Sequence, residues 1–197
     1  MATVTASPVA MEAICASSMA VAKYATSAAG LNPADYNDMT EVAASQTAMA
    51  AVAASQTAMA AVAASQTAMT AVIDSPTALS AVVSSQTAMT AVAGSSTAMA
   101  AVAASTTAVN ALKSSPLLTS KKKGGNSWSE DTVRNGKGIA VYIFGASVSG
   151  GDGWVKTDGV QTSFRSNNTN QNIVKAFQSS LTVRWYQSGS VLYYIPC

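Results

Sequence analysis

Histidine is absent from the chain. That removes the commonest general base and the commonest metal ligand together. Cysteine is limited to Cys15 and Cys197, at opposite ends of the sequence, with no CxxC or Cys/His spacing, so no zinc site is expected. Cys15 reads as a small apolar residue at a variable position, and Cys197 as a free thiol, with an interchain bridge as the alternative. Charge is scarce, at 10% Asp, Glu, Lys and Arg with a net of +2, far from the dense basic stripe of a nucleic-acid binder. Aromatics make up 6%, most of them after residue 127. The first 120 residues, Ala-rich and poor in large side chains, cannot close an ordinary core alone against backbone entropy. They need self-stacking or sister chains. Long apolar runs are missing as well. Ser, Gln and Thr interrupt the Ala-rich stretch every ten residues, whereas a membrane-spanning helix needs ~20 predominantly apolar residues in a row. The opening M-A-T-V-T-A-S-P carries neither the basic nor the apolar region of a secretion signal, and the expectation is cytoplasmic synthesis.

What is present is a ten-residue phrase. Residues 55–64 read S-Q-T-A-M-A-A-V-A-A, residues 45–54 are identical, and variants follow in unbroken phase from Ser65 through Ser115. Looser copies start at Ser7, Ser17 and Asp35, with a defect near Gly30–Pro33. Such a period has to be read before anything else. Strand alternation fails, because Val62 and Met69 are seven apart and would face opposite sides. Ala, the best helix former, dominates. Val and Met recur at spacings of seven and three, as in Val52, Met59, Val62 and Met69. Ten residues at ~100° each fall ~80° short of three turns, so a straight helix would carry the stripe around itself. Pro8, Pro76 and Pro116 each follow the phase-setting Ser, where Pro at the first helical position is tolerated and Ser is a good N-cap. Asp35 sits in the same slot as a further expected cap. The spacing therefore predicts short capped helices, kinked at each Ser. Their Val and Met are expected to pack between units and between intertwined chains, since helices this short are marginal alone.

Residues 121–127, K-K-K-G-G-N-S, read as a hinge. The charge balance changes there, from net −3 over residues 1–120 to net +5 over residues 121–197. Residues 128–197 hold five or six β-prone runs separated by Gly, Asp and Asn, which suggests a compact β sandwich or barrel. The run 181–186 and the run 191–195, flanking Gln187–Ser190, read as a hairpin. The expected domains are thus 1–34, an anchoring segment with degenerate repeats; 35–120, the decapeptide shaft; 121–127, the hinge; and 128–197, the β domain.

No catalytic constellation emerges, and no enzyme activity or cofactor is expected. Ser147 lacks the Gly spacing of a nucleophile elbow and a His to activate it. Asp152 and Asp158 lie in Gly-flanked turns, with calcium binding a weaker reading, because Ca²⁺ takes six or more oxygens. The aromatic density of the β domain says more. Trp154, Trp185, Tyr186, Tyr193 and Tyr194 form a pool of candidate contact residues; alternation sends one of each adjacent pair to the core and the other outward.

The S-x-T-A-M-x-A-V-x-x decad over residues 7–120, ahead of a small β domain, resembles fibre and appendage proteins of tailed bacteriophages. The resemblance implies an elongated structural fibre of the virion, for the tail, collar or head, assembled as a homotrimer. It implies that the N-terminal segment joins other virion proteins, and that the distal β domain meets a host-surface saccharide or protein. Two rival readings stand beside it. One is a purely structural connector whose β domain is a trimerisation cap. The other is an ice- or surface-binding protein displaying Thr every ten residues.

Overall fold

The computed structural model describes residues 7–145, 153–165 and 167–197. It divides into two units, Met1–Ala111 and Leu112–Cys197.

Among its described residues, the first unit is built of short helices. They are α1 (Pro8–Cys15), α2 (Ser18–Ala28), α3 (Met39–Ala44), α4 (Gln46–Ala54), α5 (Gln56–Ala64), α6 (Gln66–Asp74), α7 (Pro76–Ser84), α8 (Gln86–Gly94), α9 (Ser96–Ala104) and α10 (Thr106–Lys113), the last crossing into the second unit. From α4 onward a single Ser joins each helix to the next. Ser55, Ser65, Ser75, Ser85 and Ser95 hold extended backbone, with φ between −94° and −113° and ψ between 112° and 119°. One residue out of helical geometry is enough to turn the axis by 102° between α4 and α5 and by 100° between α8 and α9. Each of these Ser side chains caps the helix it opens, as Ser55 Oγ does in accepting from the Ala58 amide at 3.3 Å. Pro76 stands at the first helical position after Ser75, where it gives up no intrahelical bond.

Repeated bends wind the chain into a coil of three helices per turn. Thus α5 lies on α2, α6 on α3, α7 on α4, α8 on α5 and α9 on α6. The break resolves the period mismatch. The helical phase is reset at every Ser, so Met and Val of every unit return to the same inward face. Met49, Met59, Met69 and Met89 are at most 1% exposed, and Val52, Val62, Val72 and Val92 likewise. The expected burial of this stripe against intertwined sister chains is therefore replaced: the chain's own turns cover it. Small Ala48, Ala58, Ala68 and Ala88, all buried, let neighbouring turns approach closely.

The same Ser hydroxyls also join successive turns. Ser75, Ser85 and Ser95 donate to the carbonyls of Ala43, Ala53 and Ala63 at 2.6, 2.5 and 2.5 Å, each 32 residues upstream. Nearer the start, Ser65 donates to the Cys15 carbonyl at 2.6 Å and Ser55 to the Ala28 carbonyl at 3.2 Å. The defect near Gly30 is a helix stop. Gly30 has φ +78°, and the Leu31 amide reaches back to the Thr26 carbonyl at 2.8 Å. A 3₁₀ turn at Pro33–Asp35 follows. Asp38, not Asp35, caps α3, accepting from the amides of Thr40 and Glu41 at 2.8 and 3.1 Å. The segment expected at 1–34 contains, where described, α1 and α2, both of which pack against α5.

Among its described residues, the second unit holds eight strands: β1 (Thr119–Lys122), β2 (Ser129–Asn135), β3 (Gly138–Gly145), β4 (Gly153–Thr157), β5 (Val160–Phe164), β6 (Thr169–Phe177), β7 (Ser180–Trp185) and β8 (Val191–Pro196). They pair β1 with β8, β2 with β7, β3 with β6 and β4 with β5, all antiparallel. This is one long hairpin. Further pairing of β3 with β8 and β4 with β7 wraps it into two sheets, β1-β8-β3-β6 and β2-β7-β4-β5. That connectivity is a jelly roll. Ile143, Phe177 and Leu192 from one sheet and Val155, Phe164, Val183 and Trp185 from the other share a single core.

Two expectations change here. Lys121 and Lys122, read as hinge, are paired with Leu192 and Val191 in the edge strand β1; their exposed ammonium groups guard an edge from further pairing. The expected hairpin across Gln187–Ser190 is absent as well: β7 and β8 lie in opposite sheets, because each buries its apolar residues from a different side of the core. The Asp158-Gly159 turn is as read, a two-residue connection between Thr157 and Val160 with φ of 51° and 83°.

Candidate functional site

Strand alternation places the candidate rings. In β7, Leu181, Val183 and Trp185 point inward, so Thr182 and Arg184 lie on the outer face. Trp185 is 1% exposed, and its indole N–H donates to Asp131 Oδ2 at 2.6 Å. It is a core residue whose one polar atom is satisfied. Tyr194 is half-buried against the same core. Tyr193 stacks on Tyr142 across β3 and β8, with centroids 4.2 Å apart and planes 8° from parallel. Burial raises the Tyr142 phenol above its usual range, and the Tyr193 phenol beside it pushes the same way.

The remaining two, Trp154 and Tyr186, belong to the outer face of the β2-β7-β4-β5 sheet. Arg184 stands in register with Glu130 on one side and Trp154 on the other. Lys156 Nζ sits 4.0 Å from the Trp154 ring centroid and covers it, so Trp154 is buried although it faces outward. Lys156 also reaches Glu130 at 3.9 Å, an exposed pair worth little. At the other end, the Arg184 guanidinium lies 4.7 Å from the Trp128 ring centroid, and Tyr186 meets Trp128 at 5.5 Å with a 58° tilt. Trp128 is 40% exposed, the one aromatic among the exposed large apolar side chains of the described residues.

The structure therefore brings Trp154 and Tyr186 to one face, sends Trp185 inside, and sets Tyr193 and Tyr194 in the opposite sheet. Trp128, Arg184 and Lys156 were not legible as site residues. Period two from Trp185 would have placed Arg184 and Tyr186 together. Trp128 precedes a strand whose charged run, S-E-D-T-V-R-N, hides its β character.

Nothing described gathers catalytic groups. No cluster of three or more His, Cys, Asp or Glu exists among the described residues. Asp158 is committed elsewhere: its carboxylate accepts from the amides of Gln178, Ser179 and Ser180 and from the Ser179 hydroxyl, at 2.6–2.9 Å. Desolvation pushes its pKa up, but these bonds together outweigh that and hold it at about 2. The calcium partner considered for it, Asp152, lies outside the described residues, as does Ser147. In the first unit, an open depression of about 720 Å³ between α4 and α7 is lined by Gln46, Pro76, Thr77 and Ser80 and holds no titratable group. No single helix among the described residues is long and apolar enough to cross a membrane. The chain matches no protein-family model and shows no significant similarity to any curated protein.

Proposed function

We propose that the chain is a non-enzymatic structural fibre protein of a tailed-bacteriophage virion. In this reading the repeat unit is a spacer and the β sandwich a host-attachment module. The observation that supports it most is the recurring joint. The same Ser caps a helix, turns the axis and bonds to the turn beneath, at Ser75, Ser85 and Ser95 alike. A coil lengthened by each added unit suits a spacer, and a surface of Gln, Thr and Ala with few charges suits a structural role. Residues 1–34 would meet other virion proteins. A homotrimer, expected for such fibres, would have to be joined through outer surfaces, since the Met and Val stripe is already covered.

The reading is tested on particles and cells. Gold labels on either end should place residues 128–197 away from the particle, and the purified chain should adhere to host bacteria and compete with infection. Labels at the particle surface for residues 128–197 would reverse the polarity and sink the attachment role. The connector reading draws on the burial of Trp154 and Trp185. It predicts normal assembly, no adhesion, and loss of the oligomer when the sandwich is unfolded.

A further inference from the structure

Arg184 is the unusual member of the outer face. Its guanidinium rests against Trp128, yet it forms no ion pair among the described residues. Glu130, its cross-strand neighbour, makes its one ion pair among the described residues with Lys156, at 3.9 Å. A planar guanidinium backed by an indole, with its fork engaged by no ion pair among the described residues, matches an incoming carboxylate through two parallel N–H bonds. Beside it, Trp128 offers exposed apolar ring surface, flanked by Tyr186. The same face continues in short polar groups: Thr182, in register with both Thr132 and Lys156, and Gln161 beyond. A ring for an apolar C–H face with a fork for an acid next to it is what a sugar acid presents in reverse, and the Thr132 and Thr182 hydroxyls, further along the strands beyond Arg184, would meet the next residues of an extended saccharide. An acidic peptide fits less well. Strand addition needs an open edge, and edge strand β2 carries Glu130, Asp131 and Arg134 with a register shift between Thr132 and Arg134, features that blunt pairing.

We propose that the outer face of the β2-β7-β4-β5 sheet, centred on Trp128, Arg184 and Tyr186, binds a carboxylate-bearing saccharide. This rests on the attachment reading above and supplies its ligand class. The intact chain is titrated with a short oligogalacturonate, its methyl ester, a sialylated oligosaccharide and an oligoglutamate peptide, followed by calorimetry and tryptophan fluorescence. At least one acidic saccharide should bind and perturb the fluorescence, with the oligogalacturonate ester at least ~10-fold weaker than its acid if that acid is the ligand. R184Q and W128A should each weaken binding by about tenfold or more. R184K, which keeps the charge and loses the fork, should weaken it several-fold with the circular dichroism spectrum unchanged, and K121Q, in the opposite sheet, should change nothing. Saturable binding by neither acidic saccharide overturns the proposal. So does an ester that binds as well as its acid, an oligoglutamate that binds as well as the saccharides, or affinity unmoved by R184Q and R184K. Adhesion to bacteria that persists in R184Q and W128A overturns this site and leaves the attachment reading standing. Saccharide binding without adhesion to any host supports the site and sinks the attachment reading.

Discussion

The Ser85 hydroxyl joins two turns of the coil: it donates to the Ala53 carbonyl at 2.5 Å while accepting from the Ala88 amide at 3.2 Å. A hydroxyl is the smallest side chain able to do both. A carboxylate can cap but cannot donate. Ser85→Ala should cost about 2 kcal/mol, from the lost cap and the stranded carbonyl. Ser85→Asp should be no better, although Asp is an equally good cap. Chemical denaturation of the three proteins checks this. Full recovery of stability by Asp would reduce Ser85 to a cap alone.

Proline separates joint from helix. Gln86 occupies the position that Pro76 fills one unit earlier, so Gln86→Pro should change stability by no more than ~1 kcal/mol. Ala88→Pro removes the amide that Ser85 caps and should cost ~3 kcal/mol or more. Equal damage at both sites, by thermal melting, would point to a helix continuous through Ser85.

Burial of Met49, Met59, Met69 and Met89 inside one chain makes the helical unit independent of partners. Its helical circular dichroism should hold on dilution from micromolar to nanomolar chain, whatever oligomer the protein forms. Loss of helix on dilution, tracking dissociation by sedimentation, would return the stripe to an interface between chains.

Asp158 ties the tip of the β4–β5 turn to the Gln178–Ser180 backbone. Its pKa is held at about 2, below the ordinary 3.8, so the ionised form favours the fold. The contribution is fully present above the ordinary value and disappears as pH falls from 3.8 towards 2. With the site largely open to solvent, it amounts to on the order of 1 kcal/mol. Asn tolerates the φ of 51° at this position. Asp158→Asn should therefore be less stable at neutral pH, with the difference closing near the lower pKa. A carboxyl that titrates near 3.8 by NMR would remove the effect.

Local chemistry wrote part of this protein into its sequence. The Ser phase, Pro8 and Pro76 after their caps, the failure of the Val and Met spacing to fit a straight helix, and the Asp158-Gly159 turn were all legible, because each acts within a few residues. The sequence also separated an Ala-rich repeat from an aromatic β domain. Tertiary structure decided what depends on distant contacts. The turn at each Ser, about 100° at Ser55 and Ser95, accumulates until the fourth helix meets the first, so the stripe expected to need other chains is covered by the chain itself. Lys121 and Lys122 became an edge strand because Val191 and Leu192 offered one. Trp185 went inward and Trp128 outward because cross-strand register, set by the packing of two sheets on one core, assigns each face, and alternation alone fixes only that neighbours differ.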